Sequence, residues 1–124
     1  REGIGHVVFS PLAQGLLTGK YRPGEPLPKD SRAADENTGK FMADKVKDEE
    51  LLKRIARLEP VAKELGLSMP QLALAWILRL PQVSCTIIGA TKPHQIEDNA
   101  GASGVELSDD VLRRIDEALE VKPA

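Results

Sequence analysis

An α/β fold built on a parallel sheet is what this sequence predicts, and two observations predict it. Two short runs rich in apolar, β-branched residues, 6–10 and 84–89, stand far apart in the chain. The segments between and after them carry apolar residues at three- and four-residue spacing, the helical period. Apolar strands separated by helices imply parallel pairing through right-handed crossovers. Two strands do not make a stable open sheet alone. The pattern therefore reads either as an unusual small fold or as part of a larger α/β structure, with two parallel strands and four helices.

The chain enters its first strand almost at once. In "REGIGHVVFS", Val7, Val8 and Phe9 form an apolar run that suits a strand covered on both faces. It opens inside what should be core and without a methionine, so a truncated amino end is expected. Residues 22–44 follow a turn-rich segment and carry three prolines, two glycines and many charges. That composition predicts a long surface loop, and loops of this length are usually functional lids or disordered segments.

Residues 47–65 predict a helix, with Leu51, Leu52, Ile55, Leu58, Ala62 and Leu65 on its buried stripe. Pro60 should kink or break it, because the ring removes the bond to Ala56. Gly66 is a natural stop. Ser68 and Gln71 fit a capping box opening a helix over 69–79. That helix is apolar nearly all round, so it should be buried on several sides, and Pro81 ends it. After the strand at 84–89, Pro93 suits the first turn of a short helix over 93–102. Ser108, Asp109 and Asp110 open the last helix, 108–119, whose buried stripe is Val111, Leu112, Ile115, Ala118 and Leu119.

Composition narrows the functional classes. The 124 residues suffice for one compact domain. A net charge of −2 gives no general attraction to nucleic acid or anionic membrane. Aromatics at 3% argue against a stacking platform for single strands. Cys85, the one cysteine, does not resemble a metal cluster and lies in an apolar run, so a buried, inert thiol is expected. No metal site is expected. No apolar stretch is long enough to span a bilayer and no signal peptide leads the chain, which points to the cytoplasm.

Two strand ends carry the chemistry. In "TIIGATKPHQIEDN", Gly89 and Ala90 close the strand with the smallest side chains, and Lys92 stands where a helix begins. Backbone N–H groups and the helix dipole make that turn an anion site. Gln95, Asp98 and Asn99 share a face one turn on and could bond a sugar or a purine. The same pattern also suits a well-capped surface helix with a solvated lysine. The first strand ends alike: "SPLAQGLLTGKY" places Ser10, Pro11 and Gly15 at the turn, then Gly19 and Lys20. In an eight-fold barrel, phosphate sites sit after the last two strands.

"VVFSPLAQGLLTGKY" followed by "IIGATKPHQIEDNAGA", with "LSMPQLALAWIL" between, resembles the aldo-keto reductases, in particular the bacterial branch related to potassium-channel β-subunits. The resemblance covers essentially the whole chain. It implies the carboxyl-terminal part of a (β/α)8 TIM barrel, residues 1–124, which at this length cannot close a barrel of about 250 residues. It implies NADPH as cofactor and a small-molecule carbonyl substrate. Ser10, Pro11, Leu12, Gln14, Gly15 and Lys20 match positions along the pyrophosphate. Gly89, Thr91, Gln95, Asp98 and Asn99 match positions around the adenosine, and Lys92 matches the 2′-phosphate contact. Asp98 stands where relatives often have Glu, a shorter reach.

The resemblance also implies that the catalytic tyrosine, lysine, aspartate and histidine come from the other half of the barrel. No catalytic residue is then expected here. Tyr21 reads as a packing or surface residue, and His6 and His94 as structural or solvated. Two functions stay open: part of an NADPH-dependent carbonyl reductase, or a non-catalytic half-barrel that binds nucleotide or only self-associates. Either way the inner sheet face needs cover, from the amino-terminal half or from a homo-oligomer.

Overall fold

The computed structural model describes residues 2–121, and the expected truncation at the amino end falls at residue 1, outside them. Two strands, β1 (His6–Phe9) and β2 (Val83–Ile87), pair in parallel, with His6 opposite Val83 and Phe9 opposite Ile87. The α/β class and the parallel pairing are as the sequence predicts. Both strands end early, β1 at Phe9 and β2 at Ile87. Ser10 turns the chain with a φ of 55°, outside any strand conformation.

Among the described residues five α-helices are present where four were expected, because the segment 47–65 breaks in two. Its first part is α1 (Glu49–Ala56), started by the Asp48 carboxylate, which accepts from Leu51 N at 3.0 Å. Its second part, α2 (Glu59–Glu64), begins beside Pro60, whose missing N–H falls in a first turn where no partner is needed. Next come α3 (Met69–Leu78), α4 (Pro93–Ala100) and α5 (Asp109–Leu119). The capping box that opens α3 is complete: Ser68 Oγ accepts from Gln71 N, and Gln71 Oε1 accepts from Ser68 N. Ser108 Oγ accepts from Val111 N at the start of α5.

Two apolar clusters hold these elements. Leu58, Val61 and Ala62 of the α2 region meet Leu72 of α3 and Val111 and Ile115 of α5. Leu16, Tyr21, Met42, Leu52 and Ile55 form a second cluster beneath the 22–44 segment, and Met69 touches both. The 22–44 segment is therefore not a loose excursion. Met42 is fully buried, and short 3₁₀ turns form at Arg32–Ala34 and Gly39–Phe41. Asp35 Oδ1 accepts from Asn37 N, Thr38 N and Thr38 Oγ1, which folds the turn onto itself.

Helix α3 buries Leu72, Leu74 and Ala75, while Ala73, Trp76 and Ile77 are half-buried, so the burial is less complete than its sequence suggests. It packs against β2 and α4. The other sheet face is open: Val7, Phe9 and Ile87 are 61%, 82% and 57% exposed. Cys85 pairs opposite Val7 and is exposed, not buried. The apolar run around it marks a strand, but no side chain of the described residues covers that face.

Candidate functional site

The carboxyl ends of β1 and β2 open into one cleft of about 1740 Å³. This is where ligands collect in parallel α/β folds, because the strand ends and helix starts present backbone N–H groups there. After β1 the chain turns sharply through Ala13, Gln14 and Gly15, with φ of 49°, 60° and 99°. Only at Gly15 is that φ free of strain, and a Cβ there would lie 3.0 Å from Lys20 Nζ. The ammonium thus lies over the bare backbone of the turn. After β2, Gly89 has open space where a Cβ would stand.

Of the residues singled out in the sequence, Ser10, Pro11, Leu12, Gln14, Gly15, Lys20, Gly89, Thr91, Gln95, Asp98 and Asn99 all line this cleft. Lys92 lies just beyond it. Its ammonium is 3.6 Å from Asp30 Oδ2, and Asp30 is itself on the cleft wall.

The start of α4 is fixed from within. Gln95 Oε1 accepts from Thr91 N at 2.8 Å, Lys92 N at 3.2 Å and Thr91 Oγ1 at 3.3 Å. Its carbonyl oxygen is thereby committed, which leaves the amide N–H₂ to face a ligand. Asp98 Oδ2 accepts from Ser68 Oγ at 2.8 Å, which leaves Oδ1. The helix therefore offers donors from Gln95 and an acceptor from Asp98, one turn apart.

The sequence reading held the 22–44 loop to be a possible contributor to the substrate lining but named none of its residues, and the loop forms the third wall. Residues 29–32 and 34–38 of the long loop line the cleft, bringing Lys29 and Arg32. Arg32 has no carboxylate within ion-pair distance among the described residues. One signal was present: Asp35 followed by Asn37 and Thr38 is the pattern of a side-chain-closed turn. The Asp35 carboxyl is held below its usual range, first by the Thr38 backbone N–H, then by the Thr38 hydroxyl and the Asn37 N–H.

Tyr21 is buried, and the two histidines are exposed. Tyr21 is 3% exposed, and its hydroxyl accepts from Ala33 N at 3.2 Å. His6 is exposed on β1. His94 is exposed in the first turn of α4, at the cleft edge. Among the described residues no cluster of His, Cys, Asp or Glu could hold a metal ion, and no helix is long and apolar enough to cross a membrane.

The donor set fits a phosphate-bearing nucleotide. Lys20 lies against Gly15, Lys29 and Arg32 of the loop line the same cleft, and Gly89 leaves open space at the other strand end. The fold is a parallel α/β arrangement with one cleft at its strand ends. The aldo/keto reductase family profile matches residues 1–120, and the chain belongs to that family.

Its relatives span a range of names. It is 43% identical over 124 residues to a probable voltage-gated potassium channel subunit beta of Arabidopsis thaliana, covering 98% of this chain and 37% of that one. It is 39% identical over 118 residues to L-glyceraldehyde 3-phosphate reductase of Escherichia coli strain K12, covering 94% and 34%. Among solved structures, it superposes on a glycerol dehydrogenase of Gluconobacter oxydans with a TM-score of 0.70 at 27% identity, over 91% of this chain and 33% of that one. The chain spans about a third of the length of these relatives.

Proposed function

We propose that this chain is the carboxyl-terminal, NADP-binding portion of a (β/α)8 oxidoreductase that reduces aldehydes or ketones to alcohols. One observation carries the reading: two strand ends, each with a glycine and a lysine nearby, open on a single cleft. The relatives named as reductase and dehydrogenase agree with it.

The bound cofactor would supply a hydride. This chain's own residues bind and orient it. Lys20 and the Gly15 turn take the pyrophosphate, with Ser10, Pro11, Leu12 and Gln14 beside it. Lys92 takes the 2′-phosphate through a charge-assisted bond. Gln95, Asp98 and Asn99, with Gly89 and Thr91, surround the adenosine. Arg32, on the loop, closes the phosphate side. No residue of the chain is assigned a proton-transfer role, and the proton donor belongs to the part of the barrel outside it. The cytoplasm is the compartment that suits this cofactor and a chain with a single free thiol.

Fluorescence titration with NADPH, with adenosine 2′-phosphate as competitor, tests the reading. Saturable binding displaced by the competitor is the expected result. No binding, either by this chain or by the barrel completed with an amino-terminal half, would overturn it. Binding by the chain alone, with no turnover in the completed barrel, would favour a non-catalytic nucleotide module instead.

A further inference from the structure

We propose that Ser68 and Gln71, at the start of α3, are positioning residues for Asp98 of α4, so that a nucleotide meets Asp98 through Oδ1 alone. This rests on the reading above, in which Asp98 contacts the adenosine. Ser68 Oγ has one hydrogen, and it goes to Asp98 Oδ2 at 2.8 Å. The same oxygen accepts from Gln71 N at 3.2 Å. Gln71 Oε1 accepts from Ser68 N at 3.0 Å, and its Nε2 donates to the Asp98 carbonyl at 2.8 Å.

Both side chains therefore serve two helices at once. Ser68 caps α3 and grips the Asp98 carboxylate through one hydroxyl, while Gln71 caps with Oε1 and grips the Asp98 backbone with Nε2. These bonds are partly buried, where water competes less well than at a free surface. Gly101 makes the approach possible: a Cβ there would lie 2.5 Å from Gln71 Nε2 and 3.2 Å from the Asp98 carbonyl. Asp98 has a short side chain, and an unheld carboxylate could not compensate by reaching. A fixed orientation answers that shortfall.

The test separates grip from cap. Glycine is nearly as good as serine at a helix start, so Ser68→Gly removes the hydroxyl donor while α3 stays capped. Ser68→Thr keeps both functions. NADPH affinity and the thermal midpoint are measured for both variants, for Asp98→Ala, and for Ser68→Gly with Asp98→Ala. Ser68→Gly should bind NADPH about tenfold more weakly, within the range contacting residues show in such cycles, with its midpoint nearly kept. Ser68→Thr should bind as the parent does. On the Asp98→Ala background, Ser68→Gly should cause no further loss. Parent-like binding by Ser68→Gly, or losses that simply add, would overturn the proposal and leave the NADP reading intact. Absence of NADPH binding by the parent, in the chain and in the completed barrel, would overturn both.

Discussion

Lys92 Nζ lies 3.6 Å from Asp30 Oδ2, and this ion pair ties the start of α4 to the long loop across the edge of the cleft. Both side chains are more than half exposed. A pair so placed contributes about 0–1 kcal/mol, so its value is not chiefly in stability. In the proposed reading it holds the ammonium where a 2′-phosphate would arrive. Asp30→Asn should leave the thermal midpoint nearly unchanged.

Lys92→Ala should discriminate between cofactors. In a barrel completed by its amino-terminal strands, NADPH binding should weaken by about 1.5–3 kcal/mol, the range for hydrogen bonds to charged groups. NADH binding should hardly change. Calorimetric titration of both cofactors reads the difference, and equal losses would remove Lys92 from the 2′-phosphate.

Tyr21 is predicted to be catalytically silent. Its hydroxyl is engaged by Ala33 N and its ring is in the cluster under the loop. The purified chain should show no NADPH-dependent reduction of aldehydes above background. Tyr21→Phe should instead lower stability by about 1 kcal/mol, because Ala33 N loses its acceptor. Turnover by the chain alone, lost in Tyr21→Phe, would contradict this.

Acid should loosen the loop together with the ion pairs of Arg114 with Glu64 and of Arg54 and Arg57 with Glu120. Asp35 is held low by the Thr38 backbone and hydroxyl and by Asn37 N–H. Glu64 is held low by Arg114, and Glu120 by Arg57 and then Arg54. A carboxyl whose folded value is depressed stabilises the fold above its unfolded value, and that contribution disappears as pH falls through the folded value. Stability should therefore be level above about pH 5.5 and decline below about pH 4, the ordinary range of free carboxyls. Denaturant melts at stepped pH values check the slope. Glu120→Gln should flatten it, and stability that rose on acidification would contradict the assignment.

The open sheet face should drive association. Val7, Phe9 and Ile87 stand 61%, 82% and 57% exposed on it. Leaving each wet forfeits about 1.5–3 kcal/mol. Sedimentation at micromolar concentration should find the isolated chain self-associated, and Val7→Thr with Ile87→Thr should shift it toward monomer. A cooperative monomer from the parent sequence would show that the face needs no cover.

What the sequence made legible was local. Ser68 with Gln71, Ser108 with the two aspartates after it, and Pro60 each act within a few residues, and each marks its helix end in the structure. The residues after both strands were singled out through the family resemblance of the two motifs, because glycine and lysine at a strand end suit a capped surface helix equally well; the structure brings them to one cleft. What escaped depended on distant contacts. The order of the 22–44 loop comes from Met42 reaching a core made by α1, and no periodicity announces that. Arg32 and Lys29 entered the site only because that loop folds back. Cys85 was misjudged because an apolar strand says nothing about which of its faces has a neighbour.

The pairing of β1 with β2 has a consequence in time. His6 N donates to Gln82 O at 2.7 Å, so the sheet joins segments at opposite ends of the chain's long middle. Contacts of such sequence separation form late, because loop closure must precede any gain from them. Helices α3 and α5 need only their neighbours to begin. Pulse-labelled hydrogen exchange should protect α3 amides before those of β1, and the reverse order would refute it. The cleft lies where the two strands finish side by side, so it cannot exist until that last closure. A nascent chain would acquire its helices first and the cleft only at the end.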